Sequence, residues 1–369
     1  IGCPAAWDRT TGDASVVIAI LDTGVNTSHA DLSAKCVPGW NVYDGNSNTA
    51  DVNGHGTLVA GQAAAATNNS IGVASVAWGC RIMPIRISDP NGYATASVTA
   101  SGLVWAADHG ARIANISFAP VSSSPTITTA ANYFQAAGGV VTVSSGNAGN
   151  FDAAADNPSL LTISATDQND LVPAWSTIGN NIDLGAPGVG IFTTALNGGY
   201  ASGTGTSASA PIVAGVAALV MSANPSLGPQ AVEDILEQSS DDLGPPGWDA
   251  TYGWGRVNAG RAVAMAVEDD PPPPPTPDTE PPTISIVYPV EGASVSRPVG
   301  VRVAASDNVG IARVDLFVDG AFYKSAASSP WTVNWNARKA TGARHSLMSR
   351  AHDAAGNVGE SAAVGVVKP

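Results

Sequence analysis

The chain has 369 residues, which is more than one compact domain usually needs, so two domains are expected. Lys and Arg total 16 against 30 Asp and Glu, a formal charge of −14. That balance argues against nucleic acid and anionic membrane surfaces as partners, since both attract basic proteins, and no apolar run in the sequence reaches the length of a membrane span.

The sequence opens at Ile1-Gly2-Cys3-Pro4 with no visible leader, and we read it as a mature, exported chain. Val16 to Leu21 is a continuous apolar run, as expected for a strand buried on both faces. Arg81 to Ile87, Arg112 to Ser117, Val140 to Ser144 and Leu160 to Ala165 are similar. Between them, Gly56 to Ala66, Thr95 to Asp108 and Pro125 to Ala137 read as helices. This alternation predicts an α/β fold, a parallel sheet with helices on both faces. Sites in such sheets form at the carboxyl ends of strands. Asp22 follows the first run directly, and Asn147 closely follows the Val140 run. Beyond Pro211 a further apolar run predicts a buried helix.

Residues 269–282 contain five consecutive prolines, Pro271 to Pro275. Such a run favours an extended spacer and cannot join a packed core, so it divides residues 1–268 from residues 283–369. The last segment carries short alternating runs at Thr283 to Tyr288, Val299 to Ala304, Ala312 to Val318, Trp331 to Trp335 and Ala362 to Val367. Gly, Asp, Asn and Pro separate them, which predicts an all-β sandwich. Trp331 and Trp335 would share one strand face, more often a core face than a ligand platform. The chain has three cysteines, Cys3, Cys36 and Cys80. Their spacing matches no zinc pattern, and an odd count leaves at least one thiol unpaired.

Three short stretches carry chemistry: Ile20-Leu21-Asp22-Thr23-Gly24, Asn53-Gly54-His55-Gly56-Thr57 and Gly205-Thr206-Ser207-Ala208-Ser209-Ala210-Pro211. A Ser hydroxyl is a weak nucleophile until an imidazole accepts its proton. The imidazole in turn needs a carboxylate to fix its tautomer and stabilise its charged form. Ser207 would stand near the N-terminus of the predicted helix, where backbone N–H groups point at developing negative charge.

In these stretches, and in the chain order Asp, His, Ser, residues 1–268 resemble the subtilisin family of serine proteases, especially its thermitase-like branch. Pro4-Ala5-Ala6-Trp7-Asp8, His29-Ala30-Asp31-Leu32 and Asn68-Asn69-Ser70-Ile71-Gly72-Val73 extend the likeness. The resemblance implies a secreted serine endopeptidase acting on proteins or peptides through an acyl-enzyme, with Asp22, His55 and Ser207 as its triad. Asn147 would supply the side-chain donor to the oxyanion. It further implies that Gly92 and Tyr93 on one side, and Ser117, Phe118 and Ala119 on the other, bind an extended substrate. The pocket for the residue before the scissile bond would lie between Ser117-Phe118-Ala119 and Ser145-Gly146. The chain departs from the family at Ala119-Pro120, where a Cβ is added and an N–H lost, and at Ala208, where the family commonly has Met. Asp152 and Asp156 either favour a basic residue in that pocket or are simply solvated.

The resemblance also implies structural calcium. Asp31 and Asn69 would give side-chain oxygens, and Thr67, Ile71 and Val73 carbonyls, to an ion that takes about six to eight oxygens. A second loop, with Asn41, Asp44, Asn46 and Asn48, is either a weaker calcium site or an Asn-rich surface turn. Cys36 and Cys80 fall at the starts of strands that neighbour each other in the family sheet, which makes a disulfide plausible and leaves Cys3 spare. Residues 283–369 resemble bacterial immunoglobulin-like modules, through Ser306-Asp307-Asn308-Val309-Gly310, Phe317-Val318-Asp319-Gly320 and Asp353-Ala354-Ala355-Gly356-Asn357. A spacer, or a module binding an insoluble or surface ligand, is the role implied, on a protein expected to be monomeric.

Overall fold

The apolar run at Val16–Leu21 becomes strand β1 (Val17–Asp22), buried along almost its whole length. In the computed structural model, which describes all residues except 119–122, 268–279, 297, 308–309, 328, 340–341 and 354–356, the chain divides into two compact units at residue 269. The Pro271–Pro275 run lies outside the described residues.

The other strands of the first unit are β2 (Trp40–Asn41), β3 (Arg81–Arg86), β4 (Ile113–Ile116), β5 (Val140–Ser144), β6 (Phe151–Asp152), β7 (Leu161–Thr166), β8 (Ile178–Gly179), β9 (Leu184–Pro187), β10 (Ile191–Thr194) and β11 (Tyr200–Gly203). Its helices are α1 (Cys3–Trp7), α2 (His55–Ala64), α3 (Ala96–Asp108), α4 (Pro125–Ala136), α5 (Thr206–Ala223), α6 (Pro229–Gln238) and α7 (Ala259–Val267). Seven strands pair in parallel in the order β2-β3-β1-β4-β5-β7-β9. The order reverses beside β1, which places the Asp22 end of that strand at the crevice where α/β sheets bind ligands.

Alternation along each strand feeds two cores. Ile18 and Ile20 pack on one side of the sheet with Val59 of α2 and Val213 and Val216 of α5. Ala19 and Leu21 pack on the other side with Leu103 of α3 and Phe134 of α4. Burying both faces is what a continuous apolar strand demands. By length and hydropathy alone α5 qualifies as a membrane span, but 83% of it is buried inside the protein. It is the core helix of the first unit.

The second unit is all β: β12 (Thr283–Tyr288), β13 (Ala293–Ser294), β14 (Val299–Ser306), β15 (Ile311–Val318), β16 (Ala321–Ala326), β17 (Thr332–Trp335), β18 (Arg344–Asp353), β19 (Val358–Glu360) and β20 (Val364–Val367). Sheets β12-β14-β17 and β13-β20-β18-β15-β16, with β19 on β18, enclose Val301, Val314, Leu316, Val333, Trp335 and Leu347. Trp335 is buried and Trp331 packs partly buried against the same core, so this pair is structural.

Candidate active site

β1 ends on Asp22, whose side chain is fully buried. His55 is the first residue of α2, and its Nδ1 lies 2.8 Å from Asp22 Oδ1 and 3.0 Å from Oδ2. The carboxylate therefore holds Nδ1–H and leaves Nε2 free to accept a proton. The Asp22 charge raises the imidazole above its ordinary value, against the opposing effect of burial. Gly56 allows this approach: a Cβ there would lie 2.1 Å from the Gly24 carbonyl and 3.0 Å from Asp22 Cβ.

Asp51, which the sequence reading passed over, builds the turn that presents His55. Its Oδ1 accepts N–H groups from Asn53 and Gly54 at 3.0 and 2.8 Å, and the Thr23 hydroxyl at 2.7 Å. Its Oδ2 accepts from Thr57 N at 2.9 Å and from the Thr57 hydroxyl. One carboxylate thus ties the end of β1 to the first turn of α2. An Asp just ahead of a predicted helix is a known start signal and was available in the sequence.

Ser207 is the second residue of α5, and it lines one small cavity together with His55. Asn147, beyond β5, accepts Thr206 N–H at 2.9 Å and the Thr206 hydroxyl at 3.0 Å through Oδ1. That leaves its Nδ2 to donate elsewhere. A Cβ on Gly205 would sit 3.1 Å from both Asn147 Nδ2 and Ser207 Oγ, so the two groups converge on a space that only glycine leaves open.

Pro211 lies inside α5 and has no N–H for the Ser207 carbonyl four residues back. The Ser117 hydroxyl donates to that carbonyl instead, at 3.0 Å. Ser117 therefore holds the backbone of Ser207 to the end of β4. Phe118 meets the His55 ring edge-on with centroids 6.0 Å apart. Gly146 N–H bonds the Thr206 hydroxyl at 3.1 Å, and the Ser145 hydroxyl bonds the Thr177 carbonyl at 2.9 Å. Gly92 and Tyr93 lie on a turn around Asp89, which accepts Tyr93 N–H at 2.9 Å; the Tyr93 ring is 77% exposed, free to meet a ligand. Ala119 lies outside the described residues.

Asp152 does not point free into a pocket: it accepts from Ala154 N–H at 2.9 Å and Asn181 Nδ2 at 3.1 Å. Asp156 instead adds its charge to a group of buried carboxyls. Asp183, just before β9, is raised well above the usual carboxylate range by burial and then by Asp156. Burial and neighbouring acids push Glu233 to about 8 and Glu237 to about 7.

Asp31, Asn69 and loop carbonyls are the hard-oxygen types that calcium takes, but as the side chains stand both Asp31 oxygens accept hydrogen bonds. Asn69 donates to Asp31 Oδ1 at 2.7 Å, the Tyr200 hydroxyl donates to Oδ2 at 2.9 Å, and a Cβ on Gly72 would fall 2.0 Å from that same oxygen. Turning the Asn69 carboxamide over would present its oxygen in place of its nitrogen. The second loop is assembled otherwise. Asp44 pairs with Arg86 at 3.1 Å and with Asn41 Nδ2 at 3.0 Å, while Asn46 and Asn48 accept backbone N–H groups two residues on. An arginine thus sits on the acid of this loop, Asn41 is buried in β2, and Asn46 and Asn48 bond their own backbone.

The expected disulfide does not form, and all three cysteines are free. Cys36 pairs across the sheet with Ile82, and Cys80 lies beside the Ser222 hydroxyl at 3.6 Å. The two cysteines are thus out of register for a bridge. Burial pushes Cys36 up to about 12 and Cys3 to about 11, which keeps both thiols protonated and unreactive.

Comparison with known proteins agrees with this arrangement. The Subtilase family model matches residues 13–255, and a Bacterial Ig domain model matches residues 282–348. Thermitase from Thermoactinomyces vulgaris is 40% identical over 269 residues, covering 71% of this chain and 93% of its own. Subtilisin Savinase from Lederbergia lenta is 38% identical over 261 residues, covering 70% and 94%. Among solved structures, a protease from Pseudoalteromonas arctica superposes with a TM-score of 0.64 at 30% identity, over 72% of this chain and 94% of that one. A core of two helix layers on a parallel sheet, a buried Asp paired with a His beside a helix-borne Ser and these likenesses together place the chain in the subtilase family of serine endopeptidases, with a bacterial Ig domain following the protease.

Proposed function

We propose that Asp22, His55 and Ser207 form the catalytic triad and that Asn147 holds the oxyanion. His55 Nε2 takes the proton from Ser207 Oγ as that oxygen attacks the substrate carbonyl carbon. The negative oxygen that develops is met by Asn147 Nδ2 and by the Ser207 N–H, one of the first N–H groups of α5, which no helical carbonyl reaches. His55 then returns the proton to the departing amine, leaving an ester on Ser207 that water hydrolyses. The observation that carries this reading is the pairing of His55 with the buried Asp22 beside a cavity that Ser207 also lines. Labelling with a fluorophosphonate followed by mass mapping tests it: the adduct should fall on Ser207, and Ser207→Ala should abolish both adduct and peptide hydrolysis. An adduct elsewhere, or a tenth of wild-type activity in the variant, would refute it.

Residues 1–268 then act as the catalytic domain, with Gly92, Tyr93, Ser117, Phe118, Ser145 and Gly146 along the substrate. Calcium held by Asp31, Asn69 and the carbonyls of Thr67, Ile71 and Val73 would brace the loop by adding fixed positive charge beside a carboxylate. Residues 283–369 serve as a spacer or as a module for insoluble or surface-bound substrate. The acidic composition suits an exported, monomeric protein kept dispersed by self-repulsion.

A further inference from the structure

α2 carries His55, Leu58 and Gln62 along one face, at helical spacing of three to four residues. That face meets Ser207 and Ala208 of α5 and Gly203 at the end of β11 around a cavity of about 70 Å³. Gln62 is only 5% exposed, and its Oε1 is buried without a hydrogen-bond partner. A Cβ on Gly203 would lie 3.4 Å from Gln62 Nε2, so the carboxamide reaches the cavity wall. A buried amide left unsatisfied costs stability and calls for an explanation.

The position of the cavity gives the Nε2 end of the same carboxamide a partner to meet. It is bounded by His55 and Ser207, and by none of Ser117, Phe118, Ser145 or Gly146. The imidazole hands its proton to the departing amine, so space beside His55 and beyond Ser207 faces the leaving-group half of the substrate. Two small residues, Gly203 and Ala208, keep that space open. We propose that Gln62 is a specificity-determining residue, which selects a small hydroxyl side chain, Ser or Thr, directly after the scissile bond. The hydroxyl accepts from Gln62 Nε2, the carboxamide atom at the cavity wall, and the volume excludes larger side chains. This rests on the triad assignment, and the test below separates the two.

Internally quenched peptides that differ only in the residue after the scissile bond (Ser, Thr, Ala or Leu) would be compared using the full chain, with cleavage positions checked by mass spectrometry. Ser should exceed Ala in kcat/KM by about fivefold to tenfold, the scale of one hydrogen bond to a buried side chain, and Leu should be poorest. In Gln62→Met the Ser-to-Ala ratio should fall within about twofold of unity. A second measurement needs no variant: the acyl-enzyme partitions between water and an added amine, and serine amide should capture it better than alanine amide. A wild-type ratio near one overturns the proposal. So does a Gln62→Met loss that is equal on the Ser peptide, the Ala peptide and a p-nitroanilide with no residue in that position, because such a loss marks a packing residue. Failure of the triad would appear separately, as hydrolysis that survives Ser207→Ala.

Discussion

Glu233→Gln should leave the protein's stability unchanged in acid and raise it in alkali. Glu233 lies buried on α6, one helical turn before Glu237, and both carboxyls feel Asp234 and Asp156. Burial is the first cause of its rise to about 8 from an ordinary 4.5. Its proton is therefore held more tightly in the folded state than in the unfolded one. The associated stability is complete below the unfolded value and drains away as pH rises towards the folded one. At ~1.4 kcal/mol per pH unit, a carboxyl titrating alone over that interval would account for ~5 kcal/mol. Asp183 and Glu237 share the burden, so removing one member should recover about 1–3 kcal/mol above roughly pH 8. In a domain of this size that is a rise in Tm of about 2–10 °C. The assay is thermal unfolding of wild type and variant between about pH 5 and pH 9, with Ser207 blocked against self-digestion and chelator present so that cations do not neutralise the acids. A Tm difference that stays constant across that range would refute the reasoning, because Gln would then be replacing a group that does not titrate there.

Asn147→Leu should lower kcat by about 10²–10³ with little change in KM, the scale known for the equivalent donor in subtilisin itself; a loss confined to KM would point to substrate binding instead. Because Asp22 raises the imidazole of His55 and the reaction needs it neutral, the acid limb of kcat/KM should have its midpoint above the ordinary imidazole value, and a midpoint at or below that value would count against the pairing. Chelation should lower Tm more than it lowers the initial rate, since an ion at Asp31 binds the folded state away from the triad; an unchanged Tm after verified metal removal argues against that site. Residues 1–268 alone should hydrolyse a soluble peptide about as fast as the full chain, and a large loss in a folded truncated protein would give the second unit a part in catalysis.

The long apolar strands and the glycine-flanked Asp, His and Ser were readable because each obeys a local rule. β1 is apolar up to its closing Asp22, β3, β4 and β5 are mostly apolar and buried, and Thr95 caps α3 as its position suggests. β18 went unseen because its alternation runs through Arg, His, Ser and Asp rather than apolar residues alone; the buried His345, for example, pairs with Asp319 at 2.7 Å. The disulfide misled because strand adjacency does not give register, and one strand can slide past another by two residues without changing which side faces the core. Asp51 carried a local start signal, but its bond to Thr23 and the role of Gln62 depend on partners distant in sequence.

Pro211 has a consequence beyond the helix it interrupts. Any other residue there would bring an N–H back towards the Ser207 carbonyl, and helix and Ser117 would contend for one acceptor. Proline ends that contest in favour of Ser117. The backbone of the nucleophile is thus tied to the end of a sheet strand as well as to its own helix. A residue that reads as a flaw in a helix works here as an anchor point.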